Sequence, residues 1–396
     1  MPAPSQSLLS TLQAAVASEK LLPESLRNIE LLLRGASSDL YARVVTELAE
    51  TGEWTELNDR FFKTLAFGTG GLRGRTIGKV VARSEWGEKE EKPSMPPQFP
   101  CVGTNAMNFF NISRATQGLV AYLKEWATSQ NVARRPRLVI AYDTRFFSRD
   151  FAERAARIAA ENACDAFLFE GPRSTPELSF SVRYLEADAG VVITASHNPP
   201  HDNGYKVYFN DGAQVVEPHA GGIIARVNAV ESEAYPDKKS DHGEVHSLGL
   251  DIDDAYMERV RTLIINPSLL ERARSLRIVY TPIHGTGSVI VEPMLRQLGL
   301  QFDVVPEQNR FDGAFPTVRS PNPENAEALK MAIELANNGI NAKGTGFVFR
   351  SQADHSCEQA NHLTLRNGAR ARPNCFWKGT TLQNFAEPLR HNAIHG

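Results

Sequence analysis

Apolar residues over positions 5–65 recur every three or four places. Leu8, Leu9, Leu12, Ala15 and Val16 do so, as do Leu40, Val44, Val45 and Leu48, and Trp54, Leu57, Phe61, Phe62 and Leu65 continue the pattern. That spacing predicts a helical extension over residues 1–65. The glycines of FGTGGLRG (Phe67 to Gly74) end it and impose a loop. Residues 84–104, rich in Pro, Glu, Lys and Ser, read as an exposed insertion with no core of its own. The period then alternates. Helical stretches at Asn111–Thr128, Ser148–Ala163 (Ser148 suited to an N-cap) and Pro176–Leu185 separate the apolar runs RLVIAYD, DAFLFE and AGVVITAS. A second unit shows the same alternation: helix Asp251–Asn266, strand LRIVYT, helix Val291–Leu298, strand QFDVVP and helix Pro323–Asn337. The prediction is an α/β protein of three-layer α/β/α domains with mostly parallel mixed sheets and a helical N-terminal extension. Its domains are expected at 66–235 and 250–337. Residues 338–396 carry no sustained period and are expected to be a disordered tail outside that pattern.

Composition narrows the function. The chain has 396 residues, more than one core normally organises. A net charge of −3 without Lys/Arg clusters argues against nucleic acid and against an anionic membrane surface as partners. No apolar stretch approaches the ~20 residues that cross a bilayer. Cys101, Cys164, Cys357 and Cys375 form no CxxC pair, which fits a reducing compartment. The run Met1–Ser18 lacks a basic leader and reads as a helix, so a cytoplasmic location is expected.

Candidate chemistry concentrates in GVVITASHNPPHDNGYKVYF, Gly190 to Phe209. A strand ending at Thr194 places Ser196 at a strand's carboxyl end, where open α/β sheets bind ligands. Pro199 and Pro200 stiffen the turn, and His197, Asn198, Asn203 and Lys206 add polar and cationic groups. A phosphoserine, carrying about −1.5 to −2 charges, wants such neighbours. The plain alternative is a polar turn whose serine caps a helix. Asp143 and Arg145, ending another strand, read best as an ion pair at the same sheet edge. HGTGS (His284 to Ser288) could bring amides to a phosphate or simply make a tight turn, with no catalytic role for His284. FGTGGLRG alone is weak evidence, because Arg73 stands where a dinucleotide fingerprint needs its third glycine.

TASHNPP followed by NGYKV resembles the active-site serine loop of the α-D-phosphohexomutases, the phosphoglucomutase/phosphomannomutase family. FGTGGLRG resembles the family's amino-terminal active-site loop, and VYTPIHGTG the opening of its second domain. The wording is most similar to the phosphoglucomutase/phosphopentomutase branch, over roughly residues 35–336. The resemblance implies a phosphosugar mutase working through a phosphoserine at Ser196 and a sugar bisphosphate, with sugar phosphates as partners. His197 and Lys206 would serve proton transfer and charge stabilisation, Arg73 would lie near the phosphoryl group, and Gly71, Thr194, Asn198 and Asn203 would bind substrate or phosphate. It also implies Mg2+, held by the Ser196 phosphate and a DxDxDR loop. That loop does not follow Asn337, and DIDD (Asp251 to Asp254) has Ala255 in the third aspartate's place and opens a helix, where its dipole favours acids. The family's GExSG segment and last domain are also missing, so a truncation or frame change after about residue 337 is expected, with little turnover. The alternative from another class is a non-catalytic phosphosugar-binding or regulatory homologue. A serine hydrolase fits poorly, as there is no GxSxG elbow.

Overall fold

The computed structural model describes residues 6–92, 95–236, 241–322, 325–339, 346–350 and 364–365. The chain falls into two compact units. The first holds residues up to 169, 182–195 and 200–247, and the second holds 170–181, 196–199 and those from 248 onward.

The first unit opens with α1 (Gln6–Ala17), α2 (Pro23–Arg34), α3 (Leu40–Glu50) and α4 (Trp54–Phe61). Their apolar stripes do what the spacing predicts: Leu12, Ile29, Leu32, Val44, Val45, Leu57 and Phe61 are all buried in one cluster. Phe110 and Val102, from well beyond the extension, belong to the same cluster.

Two local expectations are corrected here. The second half of FGTGGLRG is not loop but strand β1 (Gly71–Arg75). The 84–104 segment, which opens with the single turn α5 (Arg83–Trp86), is anchored at both ends, since Glu85, Trp86, Cys101 and Val102 are buried. Its tether is Arg60 on α4, whose guanidinium meets Glu85 at 2.6 Å and Glu56 at 2.8 Å. A charge partner 25 residues upstream leaves no trace in local composition.

Then follow α6 (Phe109–Ser129), β2 (Arg137–Tyr142), α7 (Ser148–Glu161), β3 (Asp165–Phe169), α8 (Thr175–Tyr184), β4 (Ala189–Ile193), β5 (Asp202–Phe209), α9 (His219–Asn228) and β6 (Val245–Leu248). Asn108 caps α6, its side chain accepting from the Asn111 amide at 3.1 Å. The strands form a six-stranded sheet in the order β1-β5-β4-β2-β3-β6, flanked by helices. β2 runs parallel to β3 and β4, whereas β5 is antiparallel to β4 and to β1. The α/β class and mixed sheet predicted from alternation are present. β2 and β4 read as continuous apolar runs because both faces are covered, and every β4 residue is buried.

The second unit continues with α10 (Leu250–Arg261), α11 (Ser268–Ala273), β7 (Arg277–Thr281), α12 (Gly287–Gln297), β8 (Gln301–Val304), α13 (Lys330–Gly339), β9 (Gly346–Arg350) and β10 (Thr364–Leu365). Its sheet has the order β10-β9-β7-β8, with β7 parallel to β8 and β9. Val279, Val305, Leu329 and Ala332 form its core. The α/β pattern therefore runs past the expected end at 337: β9 pairs with β7 over five residues. GFVFR offers only three apolar residues in a row, too few to read as a strand without a neighbour to pair with. The disorder expected for the tail concerns residues that lie mostly outside the described ones. Among the described residues, no helix is long and apolar enough to cross a membrane.

Candidate active site

β2 and β4 are parallel neighbours, so their carboxyl ends lie side by side, and the Asp143 amide donates to the Ile193 carbonyl at 3.1 Å. There the side chain of Asp143 gathers a buried network. One oxygen accepts from the Arg145 amide (2.9 Å) and the Ser148 hydroxyl (2.6 Å), and the other from the Thr194 hydroxyl (2.6 Å). The Arg145 Nε lies 3.2 Å from Asp143 Oδ2, both side chains being almost fully buried. The ion pair expected of this DTR stretch is present, and it carries more than itself. Ser148, expected as an N-cap, is instead the first helical residue of α7 and gives its hydroxyl to Asp143.

Ser196 follows β4 by three residues. It is 8% exposed and its backbone is left-handed, φ 57°. A non-glycine residue in that region is uncommon and marks a turn the surrounding structure enforces. The Thr194–Asp143 bond is the nearest fixed point before it along the chain.

β1 and β5 place the cations. Arg73 stands opposite Gly204, and Lys206 opposite both Gly71 on β1 and Val192 on β4. Since side chains alternate along a strand, Arg73, Lys206 and Thr194 share one sheet face. Arg73 is exposed and Lys206 half-buried. Gly71 is a glycine for backbone reasons: its φ is +128°, and a Cβ there would lie 1.8 Å from the Tyr205 carbonyl oxygen. Gly204 is equally confined, a Cβ meeting the Thr194 carbonyl at 2.5 Å.

Two of the residues that the resemblance names as phosphate ligands make hydrogen bonds inside the sheet edge. Thr194 and Asn203 are both fully buried. Asn203 donates to the Phe146 carbonyl (3.0 Å) and the Ser148 hydroxyl (2.9 Å) and accepts from the Gly204 amide, tying β5 to the turn before α7. The spacing located both residues but showed nothing of these internal bonds. His197 and Asn198 are half-buried in the turn after Ser196. His201 lies in the same run and is half-buried. Burial, followed by the nearby Arg75, holds its imidazole below the usual value, so it is neutral at pH 7.

In the second unit, His284 is a satisfied core histidine, fully buried, with Nε2 2.8 Å from the Thr317 hydroxyl and Nδ1 3.2 Å from the Arg310 carbonyl. DIDD does open a helix, but Asp253 does more than face its dipole. It is buried and takes the Arg173 guanidinium in a bidentate pair at 2.7 and 2.8 Å. Magnesium seeks several carboxylate oxygens in near-octahedral array. Among the described residues no group of three or more His, Cys, Asp or Glu could hold a metal. The donors on hand do not fit the ion, and no step below passes through it.

The comparisons with known proteins bear on the same regions. The model for phosphoglucomutase/phosphomannomutase alpha/beta/alpha domain I matches residues 101–234, and that for domain II matches 254–354. The chain is 33% identical to a phosphoglucomutase of Staphylococcus epidermidis over 78% of its own length and 50% of that protein. It is 32% identical to a phosphoribomutase of Saccharomyces cerevisiae over 74% of its length and 45% of the relative. It thus spans about half the length of the curated relatives it matches. A crystal structure from Thermus thermophilus named for phosphomannomutase superposes with a TM-score of 0.55 over 76% of this chain and 57% of that one, at 22% identity, a likeness of fold alone. With both domain models matched in order and the serine loop inside the first, the chain belongs to the phosphoglucomutase/phosphomannomutase family of α-D-phosphohexomutases.

Proposed function

We propose that Ser196 accepts and returns a phosphoryl group, and that the chain is the phosphoserine-bearing part of a phosphosugar mutase. The observation that carries this is a serine in a left-handed turn at the carboxyl end of β4, just after a strand end fixed by Asp143. In the forward step the bond from Ser196 Oγ to phosphorus breaks and a bond from a sugar hydroxyl to phosphorus forms. The hydroxyl's proton leaves through a base, a role the resemblance gives to His197, and returns to Oγ. The sugar bisphosphate so formed gives its other phosphate back to Ser196. Such a transfer is loose, with charge spread over the phosphoryl oxygens, and catalysis is mainly positioning and electrostatic stabilisation. The positive field is the role that the resemblance gives to Arg73 and Lys206, which share one sheet face.

The substrate class is a hexose or pentose 1-phosphate exchanged with its 6- or 5-phosphate, in line with relatives named for glucose and ribose phosphates. The reading is tested by incubating the purified chain with glucose 1,6-bisphosphate and mapping phosphopeptides by mass spectrometry. Phosphate on Ser196, absent in Ser196→Ala, is expected; a bare Ser196 with the bisphosphate intact sinks the proposal. The lack of a DxDxDR run after Asn337 in the sequence favours a second reading, phosphosugar binding with little turnover. Coupled assay of glucose 6-phosphate formation separates the two.

A further inference from the structure

A cleft of about 550 Å³ lies in the first unit, lined by none of the residues assigned above. One wall is the turn ahead of α3. The Ser37 amide (2.6 Å) and the Tyr41 hydroxyl (3.0 Å) both donate to Glu233, which is 1% exposed, so this wall is fixed. Phe99 and Phe109 make an apolar wall, and α7 contributes Arg154 and Arg157. Three residues apart, these arginines share a helix face, where like charges repel. Among the described residues neither forms an ion pair, and three nearby acids are engaged elsewhere. Glu153 pairs with Arg149 at 2.7 Å, Glu161 takes the Tyr235 hydroxyl and Glu233 is held as above. The Arg154 Nε is shielded from solvent with no acceptor among the described residues. A buried donor left unmet is costly and calls for a partner. Asp150 and Glu153 also line the cleft, which disfavours a polyanion and limits the occupant to one anionic head.

We propose that this cleft binds a small phosphate monoester with an aromatic or apolar body. Arg154 and Arg157 hold its phosphate, and its body lies against Phe99 and Phe109. Paired guanidinium groups suit a phosphate's geometry, and the volume falls in the usual range of small-molecule sites. This site is independent of Ser196 and of the reaction proposed there.

The test is amide hydrogen exchange of the full chain titrated with phenyl phosphate, with inorganic phosphate as second probe. Slower exchange over residues 37–41 and 150–157 is expected, saturating with phenyl phosphate at lower concentration than with inorganic phosphate. Arg157→Gln, a change at an exposed position that folding tolerates, should weaken the effect roughly tenfold. Arg154→Gln/Arg157→Gln should abolish it, while Ser196 phosphorylation is unchanged. No slowing in these two segments, or slowing that survives Arg157→Gln at the same concentrations, overturns the site. Equal response to inorganic phosphate overturns the apolar body. Should the double variant fail to fold, Arg157→Glu takes its place, with loss of the response expected and its persistence fatal.

Discussion

Asp143 is a single side chain that fixes three others, Arg145, Ser148 and Thr194, the last of them two residues ahead of the candidate phosphoserine. Replacing it with Asn removes the countercharge of a fully buried guanidinium. Losing one partner of a buried ion pair typically costs ~3–5 kcal/mol. Asp143→Asn should therefore lower the urea midpoint and the phosphorylation yield at Ser196 together; an unshifted midpoint would show that the pair does not hold the sheet edge. Gly71 is a second sensitive position. Gly71→Ala puts a methyl group 1.8 Å from the Tyr205 carbonyl at a backbone angle L-residues avoid. The strain alone should cost about 1–3 kcal/mol, and β1 amides should exchange faster as the strand detaches. The Arg145 pair is legible in the DTR stretch, but the hold of Asp143 on Ser148 and Thr194 and the confinement of Gly71 are not. Composition marks Asp143 and Gly71 as polar and permissive, but the constraints come from the neighbouring strands.

At the scale of the element, Glu177 at the start of α8 and Arg173 just before it, both in the second unit, meet Asp253 of α10. Arg173 gives its two nearest donors to Asp253, and its Nε stays 3.7 Å from Glu177. Glu177 is fully buried, and among the described residues no donor reaches either carboxyl oxygen. Burial first, and then the hydrogen bond and charge of Asp253, push its carboxyl up to about 9, so it stays protonated at neutral pH. A carboxyl raised in the folded state binds its proton there more tightly than in the unfolded chain. Its stabilisation is whole below the ordinary carboxyl range, declines as pH rises and is gone above about 9. Glu177→Gln, neutral at every pH, should remove that component. Urea midpoints of wild type and variant should lie close at pH 5 and diverge toward pH 9, with the wild type falling further; parallel curves would mean the carboxyl is ionised throughout. The sequence showed the strands β2 and β4 and the helices α6 and α7 plainly, because burial on both faces or on one stripe writes itself as a period. It hid β1, since GLRGR has no alternation and becomes a strand only by pairing with β5. It hid the nearness of Glu177 and Asp253 for the same reason, as two acids distant in sequence carry no mark of lying together.

On the scale of the whole molecule, the helical extension shares a core with the segment that follows it. The domain I model begins its match at residue 101, and the spacing placed a boundary at 65, yet residues up to 169 form part of one compact unit. The physical link is apolar. Leu57 and Phe61 of α4 share a core with Val102 and with Phe110 of α6, and the Arg60–Glu85 pair beneath them is buried on both sides. Removing the extension would strip the cover from Phe110 and leave Glu85 as a buried charge without its partner. Deleting a large buried side chain's surroundings costs several kcal/mol per residue, and an unpaired buried charge adds ~3–5 kcal/mol. Those sums rival the whole stability of a typical domain, about 5–15 kcal/mol. A chain beginning at residue 66 should therefore fail to give a cooperative thermal transition. The full chain should show α1–α4 and the six-stranded sheet melting together, by far-UV circular dichroism and by amide exchange. If the shortened chain instead melts at the wild-type temperature, the shared core contributes nothing and the boundary at 65 is a true domain limit.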